Sequence, residues 1–586
     1  MAGNPGGASP FGQQGPQRSS NDGDDSNPPH LPSFSFSGMS RSQKIVWAII
    51  IVLVAAFCYW WFHPAINIHS ADMWVFITIV ILLPSFLILR NRSNAAHTGT
   101  LEEPPDDARA SKFKKLSLIP LIVFLLVVVG AISSSAIIPG NAERYANILP
   151  TEDMEFAKDI PEVNYNEIPV IDKDSAELLG NRTLGDIPQY VSQFEISNLY
   201  SQINYQGKPV RVSPLAYADF FKWMNNMNSG LPAYVLVDTT TQNAKVVTLD
   251  HGIMFSQSEP FDRNIDRYVQ LKYPFTMFGT KSFELDESGN PYWVCPVLDY
   301  TIGLFGGETV SGVVLVNAET GECSEYSIAD CPDWVDKAYP ADLLIQQYNW
   351  SGEYINGWLN SWLGQTGVKQ TTPGANGDLG YNYIAKDNDI WMYTGVTSAT
   401  DDSSIIGFVL VNQRTHESHF YSVSGATEES AMSSAEGQVQ NLRYTATFPL
   451  LINIGGQPTY FMSLKDSAGL VKKYAMIDIQ RYQNVAIGDT VADCQKSYKA
   501  LLETNGVNVT SSNGSDNVQT AQGIINHMAT AVIDSNSHYY VTLKDDNNIY
   551  DFALPGMIDI VRYKEGDTIK FTYYKEDTTC LVKSIG

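Results

Sequence analysis

Apolar and polar positions fall into three regimes along the chain. Residues 1–40 are rich in Gly, Pro, Ser, Asn and Asp, with few large apolar side chains. Such a stretch cannot bury enough surface to offset chain entropy, so a disordered tail is expected. Three unbroken apolar runs follow: Ile45–Phe62, Trp74–Leu89 and Leu116–Ile138. A bilayer span needs roughly 20 apolar residues, within a range of about 17–25. The first and third runs reach that range. The second is short and contains Pro84, and is read as a span because of its neighbours. Beyond Pro139 the pattern breaks into short apolar runs divided by Gly, Asn and Asp, which predict strands with helices between them.

One strand-like phrase recurs in this last regime. It reads Tyr234-Val235-Leu236-Val237-Asp238, Val313-Val314-Leu315-Val316-Asn317 and Phe408-Val409-Leu410-Val411-Asn412, with a blurred fourth copy at Tyr474–Asp478. Recurrence of this kind marks one supersecondary unit reused along the chain. Its Asp or Asn is suited to closing the strand into a turn. Around the second copy the expected order is a strand Tyr292–Asp299, the repeated strand, a Glu319-Thr320-Gly321 turn, a return strand Glu322–Ile328 and a helix Asp333–Gln347. Around the third come strands Ile390–Tyr393, Gly407–Asn412 and His416–Val423. A helix follows that Thr427 caps and whose first turn carries Glu428 and Glu429, in favourable register with the helix dipole. The fourth offers Pro458–Leu464, Leu470–Ile477 and a helix Val491–Thr504. A helix Pro214–Asn228 precedes the first copy, and another lies around Arg263–Tyr273. After an Asn-, Ser- and Gly-rich stretch, five strand-like runs end the chain, as in small OB-like β-barrels.

These elements divide the chain into a tail 1–40, a three-span membrane region 41–140, an extended juxtamembrane segment 141–185, repeat units 186–282, 283–376, 377–450 and 451–505, a linker 506–519 and a barrel 520–586. Basic residues set the expected orientation. Arg41 and Lys44 precede the first span, the loop from His63 to Asp72 has no Lys or Arg, and the next loop holds Arg90, Arg92, Arg109, Lys112, Lys114 and Lys115. The tail and the basic loop are therefore expected in the cytoplasm, and everything after about residue 140 outside the cell.

Charge reinforces the division. Of 38 Lys/Arg and 63 Asp/Glu, 9 and 8 lie in residues 1–140, which leaves 29 basic and 55 acidic residues beyond, a net of −26. A body this acidic repels polyanions, which excludes nucleic acid as a partner. The spans hold no Asp, Glu, Lys or Arg in their interiors, which argues against an ion path.

The order hairpin, turn, return strand, helix resembles the PepSY-type module of bacterial envelope proteins. It is carried by Gly312–Ile328 with the helix after Cys331, and by Gly407–Val423 with the helix after Thr427. A broader likeness rests on Gln202–Leu215, Gly407–Thr415, Ser424–Gln440 and Thr459–Ile477. On these stretches the chain is similar to an uncharacterised family of membrane-anchored proteins of Gram-positive bacteria. That resemblance implies an envelope location and no particular activity.

Candidate chemistry is sparse. Metal-binding, nucleophile-elbow and phosphate-loop signatures are missing, so no cofactor and no catalytic set is expected. His416 and His419 stand three apart on an expected strand, which turns them to opposite faces and away from shared metal ligation. Five of the six cysteines follow the spans, and Cys323 with Cys331 is the candidate disulfide. The segment most suggestive of an interaction surface is the small and acidic helix start with Ser424, Gly425, Thr427, Glu428, Glu429, Ser433, Ser434 and Gly437. Tight packing of these small residues on their own sheet is the competing reading.

The expected fold is thus α+β: three transmembrane helices, then a large ectodomain of antiparallel hairpin-plus-helix units of PepSY-like order, then a small OB-like β-barrel. The expected function is a non-catalytic, multi-pass binding or scaffolding protein of the bacterial cell envelope, with the lipid bilayer and an envelope protein or cell-wall component as partners. The alternative is an envelope enzyme or protease regulator using acidic residues in an ectodomain cleft. Two carboxylates converging about 5–10 Å apart in a pocket would favour that alternative.

Overall fold

The structure is a computed structural model. It describes residues 40–98, 105–162, 168–374, 379–399, 401–504, 518–533, 536–554, 557–574 and 579–585. The expected disordered tail lies outside the described residues apart from Ser40, as does the linker apart from residues 518 and 519, which begin the first barrel strand.

Among the described residues, three helices are long and apolar enough to cross a membrane: Ile45–Phe62, Ala71–Thr98 and Asp107–Ile132. The second is longer than its apolar run. A π-helical turn, Thr78–Leu82, sits just ahead of Pro84, which has no N–H to give and crowds the carbonyl four residues back. The third ends at Ile132 rather than Ile138, where Ser133 Oγ donates to Gly130 O and the chain turns. Both the short loop after Phe62 and the exit of the third helix bond the same part of the β-rich body. Ile66 N donates to Pro274 O at 2.6 Å, His69 Nδ1 meets Leu304 O at 2.7 Å, and Phe305 N donates to Ser134 Oγ at 2.8 Å. At the first helix's end, Trp60 Nε1 donates to Asp262 at 2.9 Å and the Arg267 guanidinium lies 4.2 Å over the Trp60 ring. Such a stacked cation holds the interfacial indole in place.

The β-rich body holds four sheets built on one antiparallel plan, to which sheet three adds Glu152–Met154, parallel to its return strand, and Gly425–Ala426. Each has an entry strand, a long second strand, a middle strand and a return strand in meander order, and each middle strand is a copy of the repeated phrase. In sheet one these are Ser201–Tyr205, Lys208–Tyr217, Leu231–Asp238 and Ala244–Ile253. Sheet two runs Ser282–Leu285, Pro291–Ile302, Gly306–Asn317 and Cys323–Ser327. Sheet three runs Asn382–Lys386, Asp389–Ser398, Asp401–Asn412 and Ser418–Tyr421. Sheet four runs Leu450–Ile454, Gln457–Lys465, Val471–Asp478 and Val485–Gly488. A short flanking strand, Phe194–Ile196, Met277–Phe278, Lys369–Thr371 or Thr445–Ala446, precedes each entry strand and pairs with the second strand beside it. A helix follows each sheet: Ile265–Lys272, Ala341–Glu353, Glu428–Gln438 and Val491–Thr504.

The closing Asp or Asn of each middle strand has one job in all four copies. Its Oδ1 accepts two backbone N–H groups of the following turn. Asp238 takes Thr240 and Thr241, Asn317 takes Glu319 and Thr320, Asn412 takes Arg414 and Thr415, and Asp478 takes Gln480 and Arg481, at 2.8–3.2 Å. The side chain replaces the hydrogen bonds that the ladder loses where the chain reverses.

Neighbouring sheets bond in a closed circuit. Phe255 N donates to Ala318 O (3.0 Å) between sheets one and two, and Tyr339 N to Gln413 O (2.7 Å) between two and three. Ala426 N donates to Ile479 O (2.9 Å) between three and four, and Gln242 Nε2 to the Tyr474 hydroxyl (2.9 Å) between four and one. Radial repetition of four-stranded meanders is the principle of propeller-like folds.

Two expected helices are corrected. Residues 208–217 form a strand, and the helix near Pro214 is only Phe220–Asn226. Pro214 sits opposite Tyr234 and Leu215–Tyr217 pair with Phe194–Ile196, so ladder bonds override the apolar stripe there. The helix placed at Asp333–Gln347 begins instead at Ala341, immediately after Pro340, because the proline itself keeps the backbone ahead of it out of the helical region. At the chain's end Val518–Ile533, Asn536–Leu543, Ile549–Ala553, Thr568–Tyr574 and Thr579–Ile585 close into a barrel, with the third and fifth strands parallel.

Candidate functional site

The four sheets surround a cavity of about 590 Å³, a volume ordinary for a small-molecule site. Each sheet presents the start of its entry strand: Ser201 and Gln202, Ser282, Asn382 and Tyr383, and Leu450. The segment Pro169–Lys173 adds a further wall between sheets four and one. It is held there by Val170, whose N–H donates to Thr239 O at 2.8 Å and whose carbonyl accepts from Ser463 Oγ.

Cross-strand register shows how sheet one differs. The last apolar residue of each middle strand, Val237, Val316, Val411 or Ile477, faces Arg211, Trp293, Met392 or Tyr460 on the second strand. Those four in turn face Gln202, Phe283, Tyr383 and Leu451 on the entry strand. Three sheets therefore fill this position with apolar or aromatic pairs, whereas sheet one places an arginine against a glutamine. Both are buried, Arg211 at 7% and Gln202 at 1% exposure.

Arg211 makes no hydrogen bond or ion pair with another protein group. Its Nε is buried without a partner, and what remains accessible of the side chain lines the cavity. Burial pulls its pKa below the ordinary value, only partly opposed by Tyr383 and Asp172. An unpaired buried guanidinium costs on the order of several kcal/mol. Two more residues of the cavity wall carry orphaned polar atoms, Gln202 Nε2 and Gln413 Oε1, whereas the orphaned Tyr200 hydroxyl packs against Gly180. Such atoms are few in a native fold, so their gathering at one place calls for a partner there.

A second cation shares the wall. Lys337 Nζ donates to the Tyr383 hydroxyl at 3.3 Å and lies 4.5 Å over that ring, with no carboxylate in ion-pair contact. Burial lowers its pKa, against the field of Tyr381 and Glu284. Of the other charged residues on the wall, Lys173 and Asp342 are exposed and in no ion pair among the described residues, while Asp172 and Lys281 are paired. Asp172 holds Lys465 at 2.5 Å, and Lys281 holds Asp266 at 2.7 Å.

Behind the wall lies a buried acid pair, Glu284 and Asp336. Glu284 Oε2 accepts Asp336 N at 2.8 Å and Oε1 accepts the Ser282 hydroxyl at 2.6 Å, while Asp336 Oδ2 accepts Asn204 N at 2.6 Å. Burial raises both carboxyls, and the charge of Glu284 raises Asp336 further. Their oxygens serve to join sheets one and two, and neither residue lines the cavity.

None of the residues singled out from the sequence lines the cavity. Thr427 caps its helix as expected, accepting Ser430 N at 3.3 Å. Glu428 is buried, accepts Gly395 N at 2.7 Å and is raised by burial. Gly425 lies where a Cβ would stand 2.3 Å from Ile479 O, at the seam of sheets three and four. Ser424, Glu429, Ser433 and Gly437 are exposed, and Ser434 bonds Ser430 O on its own helix. Cys323 and Cys331 are both free thiols, so the expected disulfide is not formed. A five-residue strand, about 13 Å long, and a 3₁₀ turn separate them, and they pack in different apolar clusters. His416 lies in the turn, not on the strand, and bonds Gln347 at 2.6 Å. His419 lies between Asp159 and Glu417. Among the described residues no cluster could hold a metal ion.

No family model matches the chain, and no curated protein matches it. Among solved structures, a levansucrase mutant of B. megaterium is 8% identical over 75% of this chain and 97% of that one, at a TM-score of 0.16, a level that implies no common fold.

Arg211 and Gln202 were legible in principle. Both fall in the Gln202–Leu215 stretch noted for its family likeness. Aligning the strands around the repeated phrase, rather than the phrase alone, would have set Arg211 beside Trp293, Met392 and Tyr460.

Proposed function

We propose that the chain is a membrane-anchored binding protein of the bacterial cell envelope, with the cavity between its four sheets as the ligand site. The observation that carries this reading is a pair of buried cations, Arg211 and Lys337, without an ion-pair partner on the wall of one partly open, small-molecule-sized space. Three helices long and apolar enough to cross a membrane support the anchoring. The outward orientation of the body rests on the basic loop between the second and third helices. It is supported by the bonding of the short first loop and the third helix's exit to the same body.

Likeness to the Gram-positive envelope family and to PepSY-type units belongs to this proposal. The sheet-then-helix order in all four repeats supports the second. For the terminal barrel, the strand order one-two-three-five-four and the parallel third and fifth strands support an OB-like fold. Binding is preferred to acid–base hydrolysis because the buried acids spend their oxygens on backbone amides and a neighbouring hydroxyl.

Native mass spectrometry tests the reading. The full chain, exposed to a small-molecule extract of the envelope, should carry an adduct that Ala341→Trp, a substitution on the cavity wall, removes. Adducts equally abundant on both proteins, or none on the wild type, would refute it.

A further inference from the structure

We propose that the cavity is a receptor site for a small organic anion, one bearing a carboxylate or phosphate group that docks on Arg211 and Lys337. This deepens the binding reading above and rests on it.

The case begins with register. Arg211 and Gln202 stand at a core position that the other three sheets fill with Trp293 and Phe283, Met392 and Tyr383, and Tyr460 and Leu451. The scaffold therefore has no need of a charge there. Exchanging a buried cation for apolar packing is commonly neutral or stabilising, so a polar pair in one copy of four points to a task other than folding.

Charge bookkeeping points the same way. Arg211 has neither hydrogen bond nor ion pair, and Lys337 has only a tyrosine hydroxyl and a ring face. Asp172 is committed to Lys465 and the Glu284–Asp336 pair to backbone amides, and Asp342, the remaining carboxylate on the wall, is exposed and in ion-pair contact with neither cation. Two desolvated cations facing one space remain uncompensated until an anion enters. A guanidinium offers a planar fork that carboxylate and phosphate groups match in bidentate fashion, while an ammonium acts as a point charge beside it. Gln202 and Gln413, each with an orphaned amide atom, belong to the same wall.

Size sets the remaining chemistry. A space of about 590 Å³ is far larger than an inorganic anion, so the anionic group is one end of an organic body with hydroxyls. The acidic exterior, 55 acidic against 29 basic residues beyond residue 140, works against a polyanionic chain and leaves a small anion as the fitting guest.

The test uses the full chain in lipid nanodiscs with glucose 6-phosphate and glucuronate as anionic probes, and glucose as the neutral one, at constant ionic strength. Calorimetry should show at least one anion binding and glucose binding no more than a tenth as tightly. Arg211→Met should weaken the anion at least tenfold without lowering the Tm of the unliganded protein, because it removes an uncompensated charge. Arg211→Lys should fall between, since it keeps the charge and loses the fork. Lys337→Met supplies the same test independently should Arg211→Met not fold. Glucose binding as tightly as the anions would overturn the anion assignment and leave the ligand cavity standing. Anion binding unchanged by both substitutions would overturn it by placing the anion elsewhere. No response to either anion, together with a lower Tm for Arg211→Met, would overturn it by making Arg211 structural.

Discussion

Replacing the turn-closing asparagines of sheets two and three should have unequal consequences, although the two residues hold equivalent places. Asn317 Oδ1 accepts the Glu319 and Thr320 amides at 3.0 and 2.9 Å in a partly exposed turn. Asn412 Oδ1 accepts the Arg414 and Thr415 amides at 2.8 and 3.0 Å. In addition its Nδ2 donates to Asp389 Oδ2 at 2.7 Å, beside the bidentate Arg414–Asp389 pair. At about 1 kcal/mol net per hydrogen bond, and more for one to a carboxylate, Asn317→Ala should cost about 1–2 kcal/mol and Asn412→Ala about 3–4. Aspartate separates them further. Two sister copies already carry aspartate, at Asp238 and Asp478, so Asn317→Asp should be close to neutral. Asn412→Asp loses the donor and sets a carboxylate against Asp389. Two charges about 3 Å apart repel by about 5 kcal/mol at an effective dielectric of about 20, before Arg414 offsets part of it.

Global melting is a poor readout for several packed sheets, so amide hydrogen exchange of the turn itself is the assay. With a tenfold change per about 1.4 kcal/mol, Asn412→Ala should speed exchange at Arg414 and Thr415 by about a hundredfold. Asn317→Ala should speed Glu319 and Thr320 by about tenfold. Equal effects of the two aspartate substitutions would refute the reasoning, because it depends on the buried Asp389 contact alone.

Three further outcomes are expected. Burial raises the carboxyls of Glu284 and Asp336, so the folded protein keeps protons that the unfolded chain gives up. Their contribution is intact below the ordinary carboxylate range and is lost as pH rises through the raised values; Glu284→Gln should therefore flatten the decline of Tm with rising pH, and an unchanged slope would count against it. Burial pushes His416 down to about 4 from 6.5, so its contribution is present above 6.5 and is lost as pH falls towards 4. The loss is at most about 3 kcal/mol, and urea titrations of wild type and His416→Asn across that window should converge at the acid end. Gly425→Ala drives a Cβ into Ile479 O and should cost about 1–3 kcal/mol and loosen the Ala426 amide, whereas Gly437→Ala, with open space around it, should stabilise the helix by up to about 1 kcal/mol; thermal melts of the pair decide whether this segment is chiefly a seam.

The reach of the sequence differed from element to element. The apolar runs announced the three membrane helices because a span is a local property: length and hydropathy suffice. The Thr427 cap and the helix Val491–Thr504 were likewise local. Pro214 and Pro340 stand where the helix assignments were misled. The apolar stripe around Pro214 was read as a helix face but joins a ladder, and ahead of Pro340 the proline itself keeps the backbone out of the helical region. Glu428 was legible as a first-turn acid in register with the helix dipole, but its neighbour in space is Gly395, 33 residues earlier, which no local pattern reports.

By itself the sequence determined that three segments are long and apolar enough to cross a membrane, that one strand phrase is reused, and that Asp or Asn ends each copy. These follow from hydropathy, periodicity and short-range hydrogen bonding. Only the tertiary structure decided that each copy lies between the second and return strands of its sheet, that the four sheets meet in a circuit, and that their entry strands border a cavity. The reason is physical. Whether a buried side chain has a partner depends on groups hundreds of residues away, so Arg211 reads as one more strand residue until its neighbours are assembled around it and none of them meets its charge.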